Sequence, residues 1–150
     1  MLTGFKHLHS ANRYVLLALL LIVMITSLMK WQGKKEYTKQ DDKFNLLAFI
    51  FTHVQLLIGL VLYFTSNWVQ FNESTMSNSV LRFFTVEHLV GMLIAISLIT
   101  IGRIKGKKIT DAVRRHKMTF WYFFIALVIM IASIPWPFRE VAKTAGLGWM

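Results

Sequence analysis

Phe83–Ile101, FFTVEHLVGMLIAISLITI, is an almost unbroken apolar run interrupted by one carboxylate and one imidazole, Glu87 and His88. A hydrocarbon core about 30 Å thick needs about 20 apolar residues in a helix, so this run has the length of a membrane span. Lipid offers an imidazole no water, and a histidine there marks a functional site by default. Three further runs share this character. Tyr14–Met29 has only 16 residues, so its helix begins earlier, near His9 or Ser10. Phe44 to about Phe64 is the second run, and Met118–Phe138 is the last. The last ends at Pro135-Trp136-Pro137, because proline cannot continue the amide ladder and restricts the residue before it. Each run carries one histidine within it or at its edge: His9, His53, His88 and His116.

Working outward, the sequence predicts an all-α membrane protein, an up-and-down bundle of four transmembrane helices over about residues 8–30, 44–66, 80–103 and 112–135. The whole chain, 1–150, reads as one domain. Of its residues 55% are hydrophobic and 16% charged, with a mean hydropathy of +0.52, more apolar mass than a soluble domain of this size needs. No cysteine is present, which excludes disulfides, thiolate metal sites, iron–sulfur clusters and covalently attached c-type haem as intrachain chemistry. The first run is long for a signal peptide, and Ser27-Leu28-Met29-Lys30-Trp31 offers no small-x-small cleavage site, so we read it as retained.

The net charge of +10 is not a nucleic-acid signature, because the basic residues are segregated. Lys30, Lys34, Lys35, Lys39 and Lys43 fall in the first connection, and Arg103, Lys105, Lys107, Lys108, Arg114, Arg115 and Lys117 in the third. Only Lys6, Arg13, Arg82, Arg139 and Lys143 lie elsewhere. This bias puts the first and third connections in the cytoplasm and both termini outside. Trp31, Trp68, Trp136 and Trp149 fall near the expected water interfaces, where an amphipathic ring is favoured. The second connection, Thr65 to Ser79, is polar and reads as an ordered cap or a flexible turn.

At 100° per residue, His88, Gly91, Ala95 and Gly102 form a stripe of small residues headed by the histidine. Such a stripe admits another helix or a flat ligand close to the backbone, and its histidine favours the ligand. Asn45, Thr52, Gly59 and Ser66 repeat every seven residues on the second run, and Thr119, Ala126 and Ser133 on the fourth. There the histidine is off the stripe, and a helix–helix seam competes with a pocket.

Haem iron accepts neutral imidazole nitrogens from facing helices, which makes haem the leading ligand. His9 and His88 share the outer half, and His53 and His116 the inner half, so two stacked haems form the first reading. Depth argues against it in part. His53 lies about 14 Å in and His88 about 8 Å deep, while His9 and His116 are at the edges. A single haem between His53 and His88 therefore competes. Arg13 can serve the acidic edge of an outer haem, and Arg114, Arg115 and Lys117 that of an inner one, although arginines at helix ends commonly snorkel to headgroups. His116, between Arg115 and Lys117, reads equally as a simple interfacial residue. Glu87 is costly within a membrane unless protonated or paired; Arg82 or Arg13 are its expected partners, with a hydrogen bond to a histidine and proton acceptance from a quinol as further readings. Gln55 faces away from His53 and is expected in an interhelical hydrogen bond.

His9-Ser10-Ala11-Asn12-Arg13-Tyr14, Phe51-Thr52-His53-Val54-Gln55-Leu56, Arg82-Phe83-Phe84-Thr85-Val86-Glu87-His88 and Ile134-Pro135-Trp136-Pro137-Phe138 resemble the landmarks of small bacterial four-helix membrane proteins of the cytochrome b type. The resemblance covers nearly the whole chain. It implies one or two non-covalent b-type haems on His9, His53, His88 and His116, in a bacterial inner membrane. The layout is also similar to one half of heme A synthase and to diheme transmembrane cytochromes, without a motif that carries over heme A chemistry. The implied function is electron transfer, with quinone and other respiratory membrane subunits as partners. No nucleophile–base pair, phosphate loop or acidic metal cluster points to a stand-alone enzyme. A haem-free structural or assembly subunit is the alternative, and a proton or metal-ion pathway through Glu87 is a third reading.

Overall fold

Three of the long helices start on a side chain that satisfies their first free amides. Thr38 and Asp41 form a reciprocal capping box: the Asp41 amide donates to Thr38 Oγ1, and the Thr38 amide donates to Asp41 Oδ2 at 2.8 Å. Asn78 Oδ1 accepts from the amides of Val80 and Leu81, and Asp111 Oδ2 from that of Arg114. The resulting elements are α1 (Leu2–Gln32), α2 (Lys39–Thr65), α3 (Ser79–Lys107), α4 (Ala112–Ser133) and a short α5 (Glu140–Thr144). These come from a computed structural model, which describes residues 2–149.

The chain is all-helical among the described residues, and α1 to α4 are each long and apolar enough to cross a membrane. It is a four-helix membrane protein. α1 starts at Leu2 rather than near His9, and its 31 residues make a rod of about 46 Å, longer than a hydrocarbon core. α4 stops at Ser133, two residues before Pro135. Short connections make neighbouring helices antiparallel. Both termini and the 66–78 connection therefore share one end, the termini end; the 33–38 and 108–111 connections share the other, the basic end.

Packing closes the bundle in the order α2–α1–α4–α3, with α2 and α3 meeting over a much smaller area. α1 and α3 are thus diagonal across the axis. In lipid this packing relies on close van der Waals approach rather than on a hydrophobic drive. The α3 stripe supplies that approach to α4: a Cβ on Gly91 would collide with the Ser133 side chain, and one on Gly102 would lie 2.7 Å from Tyr122 Cβ. Leu16, Leu20, Ala48, Ala95, Ile99, Phe123 and Ala126 fill the centre.

Phe83–Glu87 is a π-helical turn, in which the His88 amide donates to the Phe83 carbonyl five residues back. Such single turns mark functional sites more often than chance. The 66–78 connection braces it: Tyr63 Oη donates to the Thr85 carbonyl at 2.9 Å, and the Gln70 amide to Thr85 Oγ1 at 3.1 Å. Thr75, buried, donates to the Gln70 carbonyl at 2.7 Å. The connection is an ordered cap.

Candidate functional site

At the termini end the bundle encloses a cavity of about 370 Å³, in the size range of small-molecule sites. Its wall runs along α1 from Leu2 to Leu17, along α2 from Thr52 to Ser66 and along α3 from Phe84 to Ile96. Met130, Ile134 and the tail residues 145–148 complete it. The lining is mainly apolar, with two imidazoles facing each other across it. The rings of His9 and His88 have centroids 6.5 Å apart and planes inclined at 63°. A metal ion held by two opposed imidazoles, with bonds of about 2 Å, separates their centroids by a little over 6 Å.

The two rings are held differently. His88 Nδ1 lies 2.7 Å from the Ser133 carbonyl oxygen. That carbonyl would accept from the amide of residue 137 if α4 continued, and residue 137 is proline, which has none. The acceptor is therefore free for the imidazole, which donates through Nδ1 and keeps the Nε2 lone pair, the protonation state of a metal ligand. His9 Nδ1 is buried without a hydrogen-bond partner. Its ring lies on Gly59: a Cβ there would be 3.3 Å from His9 Cε1. The α1 backbone beneath is clasped to α2, because Gln55 Nε2 donates to the His9 carbonyl at 2.9 Å and Asn12 Nδ2 to Gln55 Oε1 at 2.6 Å. Gln55 thus makes the interhelical bond expected of it.

Arg13 also lines the cavity. Its Nη2 donates to the Trp149 carbonyl at 2.8 Å and to Ser10 Oγ at 2.9 Å, while its Nε is buried without an acceptor. Glu87 pairs with Arg82, Nε to Oε1 at 2.7 Å, with both side chains substantially exposed. The carboxylate is exposed on the π-helical turn and does not line the cavity.

His53 and His116 are placed elsewhere. His53 Nδ1 lies 2.8 Å from the Phe49 carbonyl of its own helix, and Nε2 is 3.4 Å from Thr100 Oγ1. His116, read from sequence as a possible interfacial residue, is fully buried. Its ring packs on Tyr37, and Nε2 lies 3.3 Å from the Glu36 carbonyl. These contacts tie His53 to α3 and His116 to the first connection. Gly91 lies in the α3–α4 seam, where the Ser133 side chain fills the space beside it. The α2 stripe does what was expected of the α3 stripe, since Thr52, Gly59 and Ser66 line the cavity.

Two features escaped sequence reasoning. Arg103 was counted only as a loop charge, yet it is buried, donating to Asn45 Oδ1 at 2.9 Å and lying 3.6 Å from Asp42. Its sequence signal was Asn45, a polar residue nearly two turns inside α2. The Ser133 carbonyl was legible in principle from the four-residue interval to Pro137. Among the described residues no group of three or more His, Cys, Asp and Glu side chains is placed to hold a metal ion. No family model, curated protein sequence or solved structure matches the chain.

Proposed function

We propose that this protein is a membrane-embedded b-type haem protein that carries electrons, with His9 and His88 as the two axial ligands of one haem. The observation that carries the reading is the pair of imidazoles 6.5 Å apart across an apolar cavity, one of them anchored through Nδ1 to a carbonyl. Bound there, haem would supply reversible one-electron chemistry at iron, at a potential tuned by its ligands and by burial.

The chain's own residues then have definite tasks. Ser133 fixes the tautomer and tilt of His88 and raises its basicity. Gly59 gives the His9 ring room against α2. Leu16, Leu56, Leu60, Leu89 and Met92 line the cavity and exclude water. Arg13 presents a buried donor lacking an acceptor, suited to an anionic edge group of the ligand. The basic end faces the cytoplasm on the positive-inside rule, which sets the histidine pair near the outer face of a bacterial inner membrane. A quinol in the bilayer is then within the same leaflet as an electron donor or acceptor, and other respiratory subunits are natural partners.

The test is a dithionite-reduced minus oxidised spectrum of detergent-purified protein with pyridine haemochrome quantitation. About one haem per chain is expected, lost in His88→Ala, retained with a changed α-band in His9→Ala, and kept unchanged in His53→Ala and His116→Ala. A colourless protein produced with haem supplied would replace this reading with a haem-free structural subunit. About two haems per chain would return His53 and His116 to the ligand set.

A further inference from the structure

The two imidazoles are held so unequally that they are not interchangeable. We propose that His9 is the replaceable member of the pair, and that the reduced protein takes a small diatomic ligand on the face His9 occupies. The inference rests on the haem reading above and deepens it.

His88 is fixed from two sides, by its Nδ1 bond to the Ser133 carbonyl and by the Phe83 ring, whose centroid lies 5.9 Å from its own. The anchor cannot be lost to helix formation, because Pro137 has no amide to compete for it. His9 has no such anchor: Nδ1 is buried and unpartnered. The Gln55 and Asn12 bonds hold its backbone, not its ring. A ligating histidine nearly always donates its other ring N–H, and loss of that outer partner typically weakens metal binding about 10- to 100-fold. One axial bond of this pair is therefore built weaker than the other by about that factor.

Geometry limits what replaces it. A Cβ on Gly59 would lie 3.3 Å from His9 Cε1, so the imidazole can swing toward α2 by less than the width of a methyl group, which leaves room only for a small ligand. Leu56, Leu60, Leu89 and Met92 line the cavity, with Lys6 and Arg13 as its charged residues. The cavity reaches the exposed first turns of α1 at Leu2 and Thr3, giving a small molecule a way in. The exchange moves neither electron nor proton: one nitrogen lone pair leaves and one ligand lone pair takes its place.

Carbon monoxide is the probe. The full-length protein in detergent is assayed for haem content, reduced with dithionite and titrated with carbon monoxide, following the Soret band. The wild type is expected to bind it, His9→Ala to bind about tenfold tighter or more, and Gly59→Ala, which fills the swing space, to bind about tenfold more slowly. Haem-replete wild type that refuses carbon monoxide, or a His9→Ala variant no tighter than wild type, overturns the inference and leaves the haem reading standing. Protein without haem overturns both. Gly59→Ala faster than wild type would show that the ring does not move toward α2 and would equally overturn the proposal.

Discussion

The two ends of this bundle use similar residues to opposite effect. At the basic end Asp42 Oδ1 is shared by Arg103 at 3.6 Å and Arg115 at 3.2 Å, and Asn45 takes the remaining bond of the buried Arg103. The Arg115 guanidinium lies 3.6 Å from the centre of the Tyr37 ring, against which His116 is packed. Charges and aromatics there are spent on one another and fill the space. At the termini end two histidines, an arginine nitrogen and a row of leucines are arranged around space instead. A buried polar group without a partner costs about 1–3 kcal/mol, and each end holds at least one, His116 Nδ1 at the basic end and His9 Nδ1 at the other. What separates the ends is the cavity: the termini end is built around space, and the basic end, where Asp42, Arg103 and Arg115 hold one another, is the clamp.

The sharpest way to break the contrast is to exchange the fates of the histidines. His88→Ala should abolish the reduced α-band, whereas His116→Ala should keep it and lower the melting temperature; loss of the band in both would remove the distinction. Next in size is Gly91→Ala, whose new methyl group meets Ser133. Overpacking of this kind costs about 1–3 kcal/mol, and it should also displace the carbonyl that anchors His88, shifting the α-band. Adding Ser133→Ala should recover part of both changes. An α-band insensitive to Gly91→Ala would show that the anchor is not coupled to the seam.

Asn45→Ala sharpens the clamp side. It leaves a buried guanidinium without its best acceptor, a loss of about 2 kcal/mol by thermal unfolding in detergent, with the haem spectrum unchanged. The smallest effect is one of pH. Burial pushes the Tyr37 phenol above its usual value of 10.0, against the opposing pull of Arg115. The folded state keeps that proton to higher pH than the unfolded chain does, so its contribution is present below pH 10 and is lost as pH rises further. Melting temperature between about pH 9 and pH 11 should fall less steeply in Tyr37→Phe than in wild type.

The spans were legible because their signal is local: apolar length, segregated lysines, and Pro135 after the last. The cavity was not, because a stripe of small residues looks the same whether it meets a helix or a ligand. The stripe of Gly91 and Gly102 meets α4, and the stripe of Thr52 and Gly59 borders space; that choice belongs to the ring order of the helices, which no single segment encodes. The sequence put His9 and His88 in the same half with His9 at the edge of its run; the helix runs back to Leu2, and the two rings lie 6.5 Å apart.

The proline pair after α4 has a consequence for biogenesis. Synthesis runs from α1 to α4, and α3 finds its main packing partner only when α4 follows it. The carbonyl that orients His88 belongs to the last residue of that final span. The nascent chain thus carries both histidines before the carbonyl that orients His88 exists, and the pair is set only once α4 has been made and has packed.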